Sequence, residues 1–443
     1  MTSITAKFTQ GDIAQHITKM ALTNVIGLSV FFMVDLIDIY FISLLKQPHL
    51  LSAIAYAAAI LFFTTSFTIA MMIANSAVVA RQIGQKQYQT AQQSAMTSYL
   101  ITFVISILLS GLVFCNAKSL LQMIGAEGIA LQAAYDYLTI TILTFPVVAL
   151  GMQAIATLRA LGKAKIGMYC TMSAGIVNLL LDPLFIFYFD LDIKGAAIAS
   201  LIARSTMVCL AVYYLLIKAN FITKIPLNSL IKTIPEITRI AYPACFTQLA
   251  TPITHLYVTY EIAKLGADTV AGWAVISRLI PVIFMILFAM PGAIGPIISQ
   301  NMGAKQFKRV KLTLNHSLNF IIRYVFVVAL LLSFSQELIV TLFNATGETA
   351  SLLRFFCQYI CISFIFVAMN LVAMSFLNNV GHPKLASLLN IGKMSLGTIP
   401  FVSIGAYYYG AHGILIGQAL GSISFAFIAI ILCYQILGKL DYN

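Results

Sequence analysis

The amino-acid sequence predicts an all-α polytopic membrane protein: twelve transmembrane helices in two six-helix bundles, related by a pseudo-two-fold axis along the membrane normal. Three observations carry that expectation. Of 443 residues, 60% are hydrophobic and 9% charged, and the mean hydropathy is +0.94. A soluble domain is about 25% charged, so a water-soluble fold is excluded. Apolar runs long enough to cross a bilayer, at about 20 residues each, recur along the whole chain. Finally, the second half of the sequence repeats motifs of the first in the same order.

The runs are read in order from their polar punctuation. Helices are expected at 17–45, 53–79, 92–116, 131–158, 166–189 and 195–217 in the first half. The second half supplies 240–263, 270–299, 312–335, 350–377, 384–408 and 412–437. None shows the period-two alternation of a barrel strand. The stretch Met1 to Lys19 is polar and amphipathic and lacks the apolar core of a removable leader, so none is expected. The longest polar connection, 218–239, contains Pro226 and Pro235 and reads as a cytoplasmic linker. It separates an N-terminal lobe, 1–217, from a C-terminal lobe, 240–443.

Lys and Arg set the orientation, because cytoplasmic loops collect them. With a cytoplasmic N-terminus, the inside loops hold Arg81, Lys86, Arg159, Lys163, Lys165, Lys218, Lys224, Lys232 and Arg239. They also hold Lys305, Lys308, Arg309, Lys311, Lys384 and Lys439. The outside loops hold Lys46, Lys118, Lys194, Lys264 and Arg354. Both termini are therefore expected inside. The loops account for the net charge of +12, so nucleic acid is not an expected partner. The seven cysteines all fall within apolar runs without metal-site spacing and read as free core thiols.

The repeat is specific. Arg81-Gln82-Ile83-Gly84-Gln85-Lys86 aligns with Gln300-Asn301-Met302-Gly303-Ala304-Lys305, and Leu158 to Lys165 aligns with Leu377 to Lys384. Gly195, opening the sixth helix, aligns with Gly413, opening the twelfth. Parallel repeats of six helices are a secondary-transporter design.

Several motifs resemble the multidrug and toxic compound extrusion (MATE) family. Asn178-Leu179-Leu180-Leu181-Asp182-Pro183 followed by Lys194-Gly195-Ala196-Ala197 resembles its fifth-to-sixth-helix signature, and Ile37-Asp38-Ile39-Tyr40 its first-helix acidic motif. Met290-Pro291-Gly292-Ala293-Ile294-Gly295 is most similar to the DinF-like prokaryotic branch. The resemblance implies a cation-coupled antiporter of the bacterial inner membrane that exports small organic compounds, often cationic drugs. It also implies a V-shaped pair of lobes, and residues matching Asp38, Tyr137, Asn178 and Asp182 lining a cation site in the N-terminal lobe. One departure stands out: many relatives place a Pro early in helix 1, the second half keeps it as Pro243, and the first half has Thr23.

The residues themselves point the same way. A charge at the bilayer centre costs about 2.5–3.5 kcal/mol on insertion scales, and only Asp35, Asp38 and Asp182 lie well inside an expected span. Counted from the outer helix ends, Asp38 and Asp182 both sit about 12 Å deep. Asp35 shares a helix face with Asp38, and Asn178 shares one with Asp182. Two carboxylates in low dielectric repel each other and are poorly solvated, which suits them to hold a proton. A sodium ion is the alternative, with Asp38, Asn178 and Asp182 as oxygen ligands. Proton is favoured, and no other cofactor is expected. Asp182 before Pro183 has a plainer reading too, as a partner for backbone groups freed at a kink.

The second half lacks these acids. Its intramembrane polar residues include Lys393 with His255, Arg278 and Asn370, of which the last three are candidate substrate contacts. Arg204 and Arg278 also read as pins between helices. No glycine-lysine phosphate loop occurs, so ATP is not the expected energy source. A lipid or lipid-linked oligosaccharide flippase of the wider superfamily is the alternative. A membrane enzyme is not expected, because the six histidines are scattered without a paired motif. The remaining expectations are a monomer and membrane lipid as surroundings.

Overall fold

The computed structural model describes residues 5–45, 47–221 and 223–440. Among them every regular element is helical. The order is α1 (Ile13–Leu44), α2 (Pro48–Gly84), α3 (Tyr88–Met123), α4 (Gly128–Leu143), α5 (Phe145–Ala160), α6 (Ala164–Pro183), α7 (Asp192–Tyr213) and α8 (Leu227–Ala263). There follow α9 (Ala267–Ile283), α10 (Met285–Gly303), α11 (Phe307–Phe334), α12 (Gln336–Leu342), α13 (Gly347–Phe355), α14 (Phe364–Val380), α15 (Pro383–Gly392) and α16 (Ile399–Leu440).

Sixteen helices resolve into the expected rods once the breaks are explained. α4 and α5 form one span bent by 49°, where Pro146 near the start of α5 has no N–H to continue the ladder. A similar break divides α9 from α10 at Phe284, shortly after Pro281. α6 continues through a π turn at Leu184–Tyr188 directly after Pro183. α15, a π turn at Lys393–Thr398 and the first part of α16 make the eleventh rod, and the chain then breaks at Tyr409 and Gly410 before the twelfth. By length and composition nine stretches, or ten with the bent pair, are able to cross a membrane among the described residues. The stretch Pro383–Leu440 counts there as one although it is two rods.

The repeat is visible in backbone geometry. Lys86 and Lys305 each take a left-handed conformation, φ 62° and 56°, after the matching glycines. In each turn the same bond closes the loop: Gln87 N–H donates to Gln82 O at 2.9 Å, and Gln306 N–H to Asn301 O at 2.9 Å. The second pair of loops matches as well, with Gly162 and Gly381 both at positive φ, where a side chain is strained. Lys163 N–H donates to Leu158 O and His382 N–H to Leu377 O, both at 2.8 Å.

Gly195 and Gly413 have a steric reason to match. A Cβ on Gly195 meets the Phe185 carbonyl oxygen at 2.6 Å, and one on Gly413 meets the Gly405 carbonyl oxygen at 2.0 Å. Each lets a helix close onto the backbone of the one before it. Gly195→Val is expected to destabilise the protein by about 3 kcal/mol, since backbone cannot yield as a side chain does. Thermal denaturation in detergent measures it, and an unchanged midpoint contradicts the close approach.

The chain divides into two compact units. One holds Thr23–Ala241 with the residues up to Lys7; the other holds Phe8–Leu22 with Tyr242–Asn443. In the first unit, α2, α3, α4, α5 and α7 pack around one another. One apolar cluster gathers Ile42, Leu121, Tyr137, Leu138, Ile186 and Ala197, and another Ile83, Leu158, Met207, Leu215 and Phe221. α8 begins at Leu227, well before the expected 240. Its early turns bury Thr233, Ile237 and Ile240 at helical spacing, with Ile237 and Ile240 against Met71, Ala74 and Val78 of α2.

In the second unit α14 packs on α10, α11 and α16. The segment Phe8–Leu22 belongs here through a polar clasp around a buried phenylalanine. Phe8 N–H donates to Gln300 Oε1 at 2.9 Å, and its carbonyl accepts from Asn301 Nδ2 at 3.1 Å and from the Arg309 guanidinium at 3.0 Å. Helix α1 runs without a break through Thr23, where a proline is missing relative to Pro243.

Candidate functional site

Helix α6 sets the first part of the site. Asn178 and Asp182 are four residues apart and therefore stack on one face. Asn178 Nδ2 donates to Asp182 Oδ1 at 3.0 Å. This is a side-chain partner, not a backbone group freed by Pro183. Both residues are buried, Asp182 completely.

Helices α1 and α7 bring the rest. Asp38, on α1, is buried and lies within reach of the Asp182 carboxyl and the Asn178 amide. Ser200, on α7, donates its hydroxyl to Asp38 Oδ2 at 3.4 Å. Arg204, one turn further along α7, is close enough to act on Asp38 electrostatically. The first unit thus gathers Asp38, Asn178 and Asp182 in one niche, with Ser200 and Arg204 at its side.

The hydrogen-bond inventory of this niche is unbalanced. Asp38 Oδ1, Asp182 Oδ2 and Asn178 Oδ1 are buried acceptors without a hydrogen-bond donor among the described residues. Buried polar atoms are normally paired. Buried acceptors with no donor suit a proton: placed on one carboxyl, it turns that acceptor into a donor.

The other sequence candidates are placed as follows. Asp35 is in α1, and its side chain lies outside the described residues. Tyr137, in α4, is buried in the apolar cluster with Ile186, Ala196 and Ala197. His255 is exposed on α8, its ring 5.6 Å from that of Trp273, whose indole N–H donates to Thr259 Oγ1 at 3.0 Å. Arg278 is exposed on α9. Asn370 donates its amide to the carbonyls of Phe366 and Ser422, both at 3.0 Å, which ties α14 to α16. Both amide hydrogens are thereby engaged, a geometry that serves packing.

Sequence reasoning missed Ser200 and assigned Arg204 only a pinning role. One signal was available. An arginine inside an apolar span needs an anionic partner, and Ser200 lies four residues before it on the same face.

Multi-pass helical architecture places the chain among the helical membrane proteins. The MatE family model matches residues 24–184 and again 243–404, so the chain belongs to the MatE family of multidrug efflux transporters. It is 25% identical over 434 residues to the FAD transporter of Shewanella oneidensis, covering 97% of this chain and 95% of that one. To the multidrug export protein MepA of Staphylococcus haemolyticus it is 22% identical over 441 residues, covering 98% and 96%. Its fold superposes on the crystal structure of the Vibrio cholerae MATE transporter VcmN in the bent form with a TM-score of 0.91, at 22% identity, covering 97% and 98%.

Proposed function

We propose that the chain is a proton-coupled antiporter of the bacterial inner membrane, both termini cytoplasmic, exporting organic compounds that include cationic drugs. The observation that carries this reading is the niche itself: two carboxylates in mutual reach, enclosed, with three acceptor oxygens lacking donors. A proton and a cationic cargo compete for the same negative charge, and a state that binds one releases the other. That competition is what antiport requires. Proton is favoured over sodium because two adjacent carboxylates share a proton readily.

The relatives' names are those of a FAD transporter and of multidrug export proteins. An anionic cargo such as a flavin dinucleotide is a second reading. It is favoured by Arg278 and by Lys393 at the π turn of the second unit, neither of them in an ion pair among the described residues.

Proteoliposomes test both readings. A pH jump is expected to drive ethidium transport without sodium, and a sodium gradient alone is expected to drive none. Sodium-only transport reverses the ion assignment. Transport of FAD but not ethidium by the same vesicles replaces the cationic cargo with the anionic one.

A further inference from the structure

The unit that carries the acids also carries buried polarity that its apolar surroundings do not explain. Between α2, α3 and α5, Asn75 donates to Gln153 O at 3.2 Å and to Thr157 Oγ1 at 3.0 Å, and the Tyr99 hydroxyl donates to Thr157 Oγ1 at 2.8 Å. These bonds leave much of the local polarity unmet. Gln153 is 0% exposed, and neither its Oε1 nor its Nε2 has a partner among the described residues. The Asn75 Oδ1 and the hydroxyls of Ser98 and Thr102 are equally buried and equally unpartnered. Elsewhere on α3, Thr97 and Ser106 return their hydroxyls to their own helix, at 2.9 Å each.

The internal repeat supplies a control. At the offset of 219 fixed by the loop motifs, Asn75, Tyr99, Thr102, Gln153 and Thr157 correspond to Ile294, Leu318, Ile321, Val372 and Phe376. All five counterparts are buried. These five backbone positions are therefore filled with apolar side chains in the half that lacks intramembrane acids, while Ser98 corresponds to Ser317, whose hydroxyl donates to the Thr313 carbonyl at 2.7 Å. The fold does not need the polarity; the half with the acids has it.

The heights also agree. Measured from residues 79, 92 and 158, the inner ends of the expected spans, Asn75, Gln153, Ser98 and Thr102 stand at roughly 6, 8, 9 and 15 Å. On the topology expected from the basic residues those ends are cytoplasmic. The acids, about 12 Å below the outer side of a core of roughly 30 Å, stand just above Thr102.

We propose that α2, α3 and α5 enclose a column of buried water, held by Asn75, Ser98, Thr102 and Gln153, through which the coupling proton leaves for the cytoplasm. Unpartnered neutral donors and acceptors of this kind are what buried water binds, at two to four hydrogen bonds per molecule. The carboxyl of the acidic niche returns to carboxylate, and its proton passes along the water to the cytoplasmic side. The exit role rests on the antiporter reading; the hydrated site does not.

Radiolytic hydroxyl-radical footprinting of the full chain in nanodiscs separates the two. Tyr99, half-buried beside the column, is expected to be labelled several times faster than Tyr324. That residue is half-buried in the second unit, and its hydroxyl donates to the Ile283 carbonyl. The double variant Asn75→Ile, Gln153→Val copies the second half. It is expected to bring Tyr99 down to the Tyr324 rate and to slow proton release on the order of tenfold, with ethidium binding kept. Thr102→Val is the milder variant if the double one does not fold. Tyr99 labelled no faster than Tyr324 in the wild type overturns the water column. Rapid labelling with wild-type proton release in both variants overturns the exit role. A wild type that moves no proton with any cargo sinks the antiporter reading and the exit role together, and the labelling still decides the column.

Discussion

Replacing Asp38 with Asn is expected to abolish ethidium export while the protein remains folded. The substitution keeps side-chain shape and still accepts the Ser200 hydroxyl bond now made at 3.4 Å. It removes the one property that an exchange site needs, a charge that appears and disappears with a proton. An amide is neutral at every working pH, so it neither competes for a cationic cargo nor loads a proton from outside. Efflux from cells, read against a size-exclusion profile of the purified variant, is the measurement. Wild-type efflux in a folded Asp38→Asn protein removes Asp38 from the coupling mechanism.

Much of this was legible in the sequence because two kinds of signal are local. Apolar runs mark rods, and the glycine loops mark their ends. Lys86 and Lys305 adopt the same left-handed turn because each follows a matching Gly-X pair, which the sequence displays directly. Asp38 and Asp182 were recognisable individually, since an acid in an apolar span is conspicuous. Their meeting was legible only through equal depth and the family resemblance, for nothing in spacing ties α1 to α6.

Other features leave no such trace. Ser200 sits in a run of small residues, Gly195-Ala196-Ala197-Ile198-Ala199, where a hydroxyl stands out neither by size nor by hydropathy. The early turns of α8 look like a linker because Lys232, Glu236 and Arg239 outweigh the stripe of Thr233, Ile237 and Ile240 in any average. The place of Phe8 in the second unit is a tertiary fact. Its partners Gln300, Asn301 and Arg309 lie 292, 293 and 301 residues away. Asn370 shows the converse: a polar residue in a span invites a functional reading, and its two backbone bonds give it a packing role.

Asp182→Asn is expected to match Asp38→Asn in its loss of pH-driven export, and the double variant to lose no more than either single one. The reason is the shared inventory of the niche. Asp182 Oδ1 is held by Asn178, its Oδ2 has no donor, and Asp38 Oδ1 beside it has none either. One proton between the two carboxyls resolves this arrangement, so the acids titrate as a pair and act as a unit. Groups that act as a unit give grossly non-additive losses. Export rates of the four proteins at a fixed pH jump complete the cycle. Losses that multiply in the double variant mean that each acid works alone, and a shared proton is then the wrong description. Ethidium binding adds a second discrimination. Asp182→Asn leaves Asp38 in place with Arg204 nearby, so affinity for the dye falls less than its pH-driven export does. A variant that loses both in equal measure assigns Asp182 to cargo binding and leaves Asp38 alone to carry the proton.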